Sequence, residues 1–92
     1  MKLSDRLEMI ASFVEPGNRL ADIGTDHGYV PIYLVQTGRV PSALAMDVRK
    51  GPLLRAEEHI REAGLSGRIQ TRLSDGLKKL APGEADTVVI AG

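Results

Sequence analysis

The sequence has no cysteine, only two histidines, no long apolar run and no excess of either charge. Without cysteine there is no disulfide framework, no thiolate nucleophile and no Cys-based zinc or iron–sulfur site. Two histidines cannot build much of a metal site, so no metal is expected. The longest apolar run is a few residues, too short to span a bilayer, which removes the membrane as a partner. The segment Met1-Lys2-Leu3-Ser4-Asp5-Arg6 lacks a basic stretch followed by an apolar core and a small-residue cleavage site, so the expected location is cytoplasmic. Twelve Lys plus Arg balance twelve Asp plus Glu. That removes the global basic excess through which many nucleic-acid proteins neutralise phosphates and leaves room only for a local patch.

With 42% apolar and 26% charged residues, the composition is that of one soluble globular domain. Turn residues recur at short intervals and there is no repeat, low-complexity tract or linker, so residues 1–92 read as one unit. The length is modest for a fold with a wide central sheet. The run Asp86-Thr87-Val88-Val89-Ile90-Ala91-Gly92 reads as a buried strand finishing on glycine, where a loop should begin. The expectation is the amino-terminal half of something longer.

Leu3, Leu7, Ile10, Ala11 and Val14 fall at helical spacing, predicting a helix over Ser4 to Val14 with Ser4 as N-cap and Asp5 in its first turn. Glu15-Pro16-Gly17-Asn18 stops it. A strand over Arg19 to Gly24 precedes a helix from Tyr29 to Thr37, with Pro31 in the first turn, where its missing N–H is no loss. Ser42 to Val48 is a second strand, and Gly51-Pro52 opens an amphipathic helix to about Ala63. Arg68 to Leu73 is the third strand, Leu77 to Leu80 a short helix, and Thr87 to Ala91 the fourth strand. This order predicts an α/β, Rossmann-like parallel sheet with right-handed crossovers and helices on both faces.

In such sheets ligands bind beyond the carboxyl ends of the strands. Strand one leads into Asp22-Ile23-Gly24-Thr25-Asp26-His27-Gly28, strand two ends on Asp47, and strand three leads into Asp75-Gly76. Buried carboxylates are costly unless paired, so these belong at a rim facing polar partners. The first loop fails the G-x-G-x-x-G dinucleotide pattern. Asp26 stands where a middle glycine would be, and a carboxylate there repels a pyrophosphate. No phosphate-binding G-x-x-x-x-G-K motif occurs. A ligand with a cationic end, a ribose and an adenine but no phosphate suits this charge pattern, and S-adenosyl-L-methionine is such a ligand.

These motifs, with Asp47 about twenty residues after the first and with Leu73-Ser74-Asp75-Gly76-Leu77, resemble those of class I S-adenosylmethionine-dependent methyltransferases. More narrowly, Leu3-Ser4-Asp5-Arg6-Leu7, the run from Ala21 to Leu34 and Asp86 to Gly92 are similar to the bacterial TrmK-type tRNA (adenine-N1)-methyltransferases. The most specific part is Asp26-His27, which replaces the commoner glycine pair. The resemblance implies methyl transfer to N1 of an adenine in tRNA, of the position-22 type, by a seven-stranded domain followed by a helical one. Measured against that, the chain stops at strand four, and independent activity of this fragment is not expected.

The resemblance also implies roles. Asp22 would meet the cofactor's amino-acid end, Gly24 and Gly28 would let backbone approach the ligand, Asp47 would accept from the ribose hydroxyls, and Asp75 would accept from the adenine amine beside Gly76. Adenine N1 already carries an in-plane lone pair, so transfer needs in-line alignment, a desolvated pocket and an acceptor for N6. Because N1 lies on the pairing edge, the target nucleotide must be unpaired or flipped out. Asp26, His27 and Tyr29 are the catalytic candidates, with Asp26 first.

Each position has a structural alternative. Asp22 could bond loop amides, Asp47 could cap the following helix, and Asp75 could cap a helix at Leu77. His27 could serve a loop carbonyl, while Tyr29 and Tyr33 could be packing residues. His59 reads as solvated and its neighbours Glu57, Glu58, Arg61 and Glu62 as surface charges. Two other functions stay open: a methyltransferase with another acceptor, and a non-catalytic module binding S-adenosylmethionine or a nucleoside. In the family's order strand four is interior, so its unpaired edge predicts dimerisation or aggregation of the piece.

Overall fold

A computed structural model describes residues 3–90, with side chains from residue 5 onward. Among them three helices and four strands follow one another as α1 (Leu3–Ser12), β1 (Leu20–Ile23), α2 (Tyr29–Gln36), β2 (Ala43–Asp47), α3 (Lys50–Glu62), β3 (Ile69–Leu73) and β4 (Thr87–Val89). All strand pairings are parallel, in the order β3-β2-β1-β4. The order reverses between β1 and β4, beside the loop that leaves β1, which is where an open parallel sheet forms a ligand crevice.

Leu20, Ala43 and Ile69 stand opposite one another in register. Strand side chains alternate between faces, and these three join Leu34, Val35, Val40, Ala45 and Ile60 in the main core under α2 and α3. β2 is buried at every position although it has no β-branched residue. Its place between β1 and β3 outweighs its weak strand propensity. The other face presents Ala21, Leu44 and Met46, packed against Leu80 and Ala85.

That second cover differs from the expected short helix. Residues 75–79 form turns, braced by the Lys79 N–H donating to Ser74 Oγ at 3.2 Å and the Arg72 guanidinium donating to the Lys79 carbonyl at 2.8 Å. Four residues before Pro82-Gly83 are too few to repay helix nucleation. Arg72 also grips Glu84, at 2.6 and 2.9 Å, and Arg19 grips Asp86, at 3.1 Å through each nitrogen. The bonded guanidinium holds each carboxyl at about 2.

β4 is shorter than expected and lies at the edge of the described sheet. Val88 is exposed, and Ile90 is 73% exposed rather than buried, because neither has a further strand or helix over it among the described residues. The expected strand end at Ala91 lies outside the described residues. α1 starts at Leu3, so Ser4 sits inside the helix; its side chain, the expected cap, is also outside them. No described helix is long and apolar enough to cross a membrane.

Candidate functional site

The loop from β1 to α2 is held by the end of β2. Gly24 and Thr25 both donate backbone N–H groups to the Met46 carbonyl, at 2.8 and 2.9 Å. One residue on, the Asp26 N–H donates to Asp47 Oδ2 at 3.1 Å. Gly24, Asp26 and Gly28 all have left-handed backbone, with φ of 74°, 56° and 79°. Three such residues in five positions curl the loop tightly enough for Gly28 to become the N-cap of α2. No side-chain hydrogen bond caps that helix, which leaves its first N–H groups without an intrahelical acceptor.

The two glycines serve different ends. A side chain at Gly24 would meet nothing within 4 Å, so this stretch of backbone is open to a ligand. At Gly28 a Cβ would lie 3.2 Å from the Ala56 Cβ and 3.4 Å from its Cα. Close packing of the loop on α3 and the left-handed backbone both favour glycine there, a packing reason that stands beside the expected ligand-approach role. Its partner is distant in sequence, which hid the packing reason.

Asp22, on β1, is only 2% exposed. Burial pushes its carboxyl up to about 7; the nearby Thr25 hydroxyl opposes the rise, Asp47 adds to it, and Arg6 on α1 weakly opposes it. Thr25 Oγ1 is itself buried without a well-aligned hydrogen-bond partner, as is His27 Nδ1. Buried polar atoms are normally satisfied, so His27 Nδ1 and the remaining capacity of Thr25 Oγ1 are hydrogen-bonding groups that a polar ligand could meet. Thr25 was absent from the sequence-based set because a lone threonine after a glycine carries no pattern.

Asp47 is 3% exposed. Besides Asp26, it accepts the Arg49 N–H through Oδ1 at 3.0 Å, with the Arg49 guanidinium at 3.7 Å. Arg49 is the N-cap of α3 and receives no side-chain cap. Asp47 thus bonds the N-cap's own amide rather than the first-turn amides, which disposes of simple helix capping. Each of its oxygens retains a lone pair for another donor.

The Ser74 N–H donates to the Asp47 carbonyl at 2.9 Å, bringing the loop after β3 alongside. Ser74 Oγ donates to the Gly76 carbonyl at 2.8 Å and shapes that loop. The Asp75 side chain is 73% exposed and pairs with Lys78 at 3.3 Å. It caps no helix, since none forms at Leu77.

His27, Tyr29 and His59 form a cluster of rings. Tyr29 stacks on His27 with centroids 5.3 Å apart and on His59 at 5.4 Å, and the two histidines are 5.8 Å apart. His59 also lies with Nδ1 2.7 Å from the His27 carbonyl. It is neither free nor merely solvated, contrary to expectation. Glu57 likewise has a task, accepting from the Thr71 hydroxyl at 2.7 Å. Tyr33 packs against the main core as expected, whereas Tyr29 is 42% exposed. The Asp26 carboxylate stands 3.9 Å from His27 Nε2.

A groove of about 670 Å³ lies at the other end of the sheet, between Arg19, Ser42, Gly67, Arg68 and Glu84. It borders the amino ends of the strands, where the loops carry none of the converging carboxylates and open glycine backbone described above. A smaller apolar groove of about 170 Å³, between Leu53, Leu54 and Leu73, adjoins the carboxyl ends beside Asp47, which is paired in register with Leu73. Among the described residues no group of three or more His, Asp or Glu could hold a metal.

The family model described as a methyltransferase domain matches residues 3–92. Over its whole length the chain is 40% identical to the tRNA (adenine(22)-N(1))-methyltransferase of Bacillus subtilis, of which it spans 39%. It superposes on M. capricolum TrmK, crystallised with S-adenosyl-homocysteine, with a TM-score of 0.89 and 41% identity, covering 100% of this chain and 42% of that one. Sp1610 of Streptococcus pneumoniae, crystallised with S-adenosyl-L-methionine, matches with a TM-score of 0.90 and 41% identity, over 99% of this chain and 43% of that one.

Proposed function

Because the chain belongs to the methyltransferase domain family, we propose that it is the S-adenosyl-L-methionine-binding half of a cytoplasmic tRNA (adenine-N1)-methyltransferase acting on a position-22 type adenine. The observation that carries the reading is the convergence of buried Asp22, open Gly24 backbone and bridging Asp47 at one sheet crevice, in a chain 40% identical to an enzyme of that activity.

The residues fit the cofactor. Asp22, ionised, pairs with an ammonium group, and the Thr25 hydroxyl beside it supplies a further hydrogen bond. The uncapped first turn of α2 suits a carboxylate. Asp47 accepts from ribose hydroxyls with the lone pairs its two amide bonds leave, and Asp75, beside Gly76, accepts from the adenine amine. When bound, the cofactor supplies a methyl group activated on a sulfonium.

The chain's own residues then act on the acceptor. Adenine N1 needs no deprotonation, so the loop's work is alignment and charge. Asp26 accepts hydrogen from N6 and offsets the positive charge that develops on the base. His27 and Tyr29 stand beside Asp26 at the start of α2. The test is transfer from S-adenosylmethionine to unmodified tRNA by the longest native form that carries this chain, with the methylated nucleotide mapped. One N1-methyladenine in the D-arm region is expected; untouched tRNA beside a methylated protein or small molecule would contradict the proposal.

The β4 edge, with exposed Val88 and Ile90, supports self-association of the 92-residue chain. Light scattering that returns a clean monomer at high concentration would count against it.

A further inference from the structure

The β1–α2 loop is clamped from one side by α3, and the clamp centres on His59. Ala56 and His59 lie three positions apart, on one face of that helix. Ala56 packs so closely on Gly28 that a Cβ there would lie 3.2 Å from the Ala56 Cβ. His59 Nδ1 lies 2.7 Å from the His27 carbonyl. A carbonyl only accepts, so Nδ1 carries the proton. The same ring stacks on Tyr29, with centroids 5.4 Å apart and planes 15° apart. Residues 27, 28 and 29 each have a partner on α3, and two of the three are held by His59. On the other side of the loop Asp26 is tied to Asp47, two residues before the N-cap of α3.

We propose that His59 is a positioning residue for methyl transfer: its Nδ1–H fixes the His27–Gly28 peptide and its ring fixes Tyr29, so that Asp26, His27 and Tyr29 are presented to the acceptor base in one arrangement. The proposal rests on the functional reading above and adds to it a residue outside the cofactor motifs. His59 bonds and stacks on His27 and Tyr29 rather than on Asp22, Asp47 or Asp75. Its loss is therefore expected to act on the transfer step with little effect on cofactor binding.

The test has two parts, on the longest native form that carries this chain. Long-range ¹H–¹⁵N NMR reads the tautomer of His59, and the expected result is a proton on Nδ1 at neutral pH, the less common form of a free imidazole. Variants then separate the two contacts, since His59→Gln keeps an N–H donor without the ring and His59→Phe keeps the ring without the donor. With folding verified by thermal unfolding, His59→Ala is expected to lower kcat on tRNA roughly 10- to 100-fold, the range for small misplacements of reacting groups. Each single-feature variant should recover part of that loss, and the Kd for S-adenosylhomocysteine should stay within about threefold of wild type. An Nε2–H tautomer, an unchanged kcat in His59→Ala, or an equal loss of cofactor affinity overturns the proposal. Wild-type protein inactive on every tRNA would instead refute the functional reading. The tautomer, and the amide shifts of residues 26–29 in His59→Phe, would still decide the clamp: shifts matching wild type overturn it, and shifts displaced across the loop support it.

Discussion

The Asp47 carboxylate, at the end of β2, accepts the backbone N–H of Asp26 at 3.1 Å, so one buried side chain sets the shape of the loop that leaves the neighbouring strand. It makes the first two carboxyl-end motifs a single structure rather than two adjacent ones. The Arg49 N–H shares the same carboxylate, which adds the start of α3.

Asp47→Ala strands two backbone donors in a part-buried setting. A loss of roughly 1–3 kcal/mol in unfolding free energy is expected, together with weakened cofactor binding, because loop and ribose acceptor fail together. Asp47→Asn, which keeps one acceptor oxygen, should fall between. Urea unfolding and calorimetry on the three proteins check this; an alanine variant of wild-type stability would show that the loop holds itself.

The raised Asp22 carboxyl gives a signed pH dependence. Its value moves from the ordinary 3.8 to about 7 on folding, so the folded state holds a proton that the unfolded state releases between those values. The stability from that proton is complete below about pH 4 and is lost as pH rises through about 7, amounting to roughly 4 kcal/mol. Glu84 and Asp86, lowered to about 2, act oppositely and only in acid: their contribution is present above about pH 4 and is lost toward pH 2. Urea midpoints from about pH 4 to 8 should fall with rising pH in wild type and flatten in Asp22→Asn. A cationic ligand needs the ionised form, so cofactor affinity should weaken below about pH 7, by at most about tenfold per unit.

Gly28→Ala meets two obstacles, a left-handed backbone and the Ala56 Cβ at 3.2 Å. The first alone costs about 1–2 kcal/mol. Adding Ala56→Gly opens space without relieving the backbone. The double variant should therefore recover part of the lost stability in thermal unfolding, and no recovery would place the whole cost in the dihedral.

Asp26 adopts φ 56° without being glycine, so Asp26→Gly removes the carboxylate while keeping the loop's conformation accessible. The expected outcome is a kcat on tRNA lowered at least tenfold with cofactor affinity nearly unchanged, the pattern of an interaction made in the transition state. Asp26→Ala should add a folding defect to the same catalytic loss. A variant that keeps the wild-type rate removes Asp26 from the chemistry.

What was legible in the sequence follows the range of the interactions involved. The first six elements and the carboxyl-end motifs rest on local periodicity and turn residues, and they stand where expected, whereas the helix before β4 does not form and β4 is shorter. Gly28 was singled out for ligand approach alone, and its packing reason stayed hidden because Ala56 belongs to a distant helix turn. His59 read as solvated because its partner is the backbone of His27, which no sequence pattern reveals. The turns at 75–79 imitate a helix start, with Ser74 and Asp75 ahead of an apolar residue, yet bonds from Ser74 and Arg72 hold them in another shape. The exposure of Val88 and Ile90 depends on what lies beside β4, which their apolar character does not state.

The most direct measurement is calorimetric titration of S-adenosylmethionine and S-adenosylhomocysteine into the longest native form that carries this chain, beside Asp22→Asn and Asp47→Ala. One site per chain, taking both ligands and lost or strongly weakened in both variants, is the predicted result. A folded protein that binds neither ligand, or binds them equally well in all three forms, would contradict the carboxyl ends of β1 and β2 as the cofactor site.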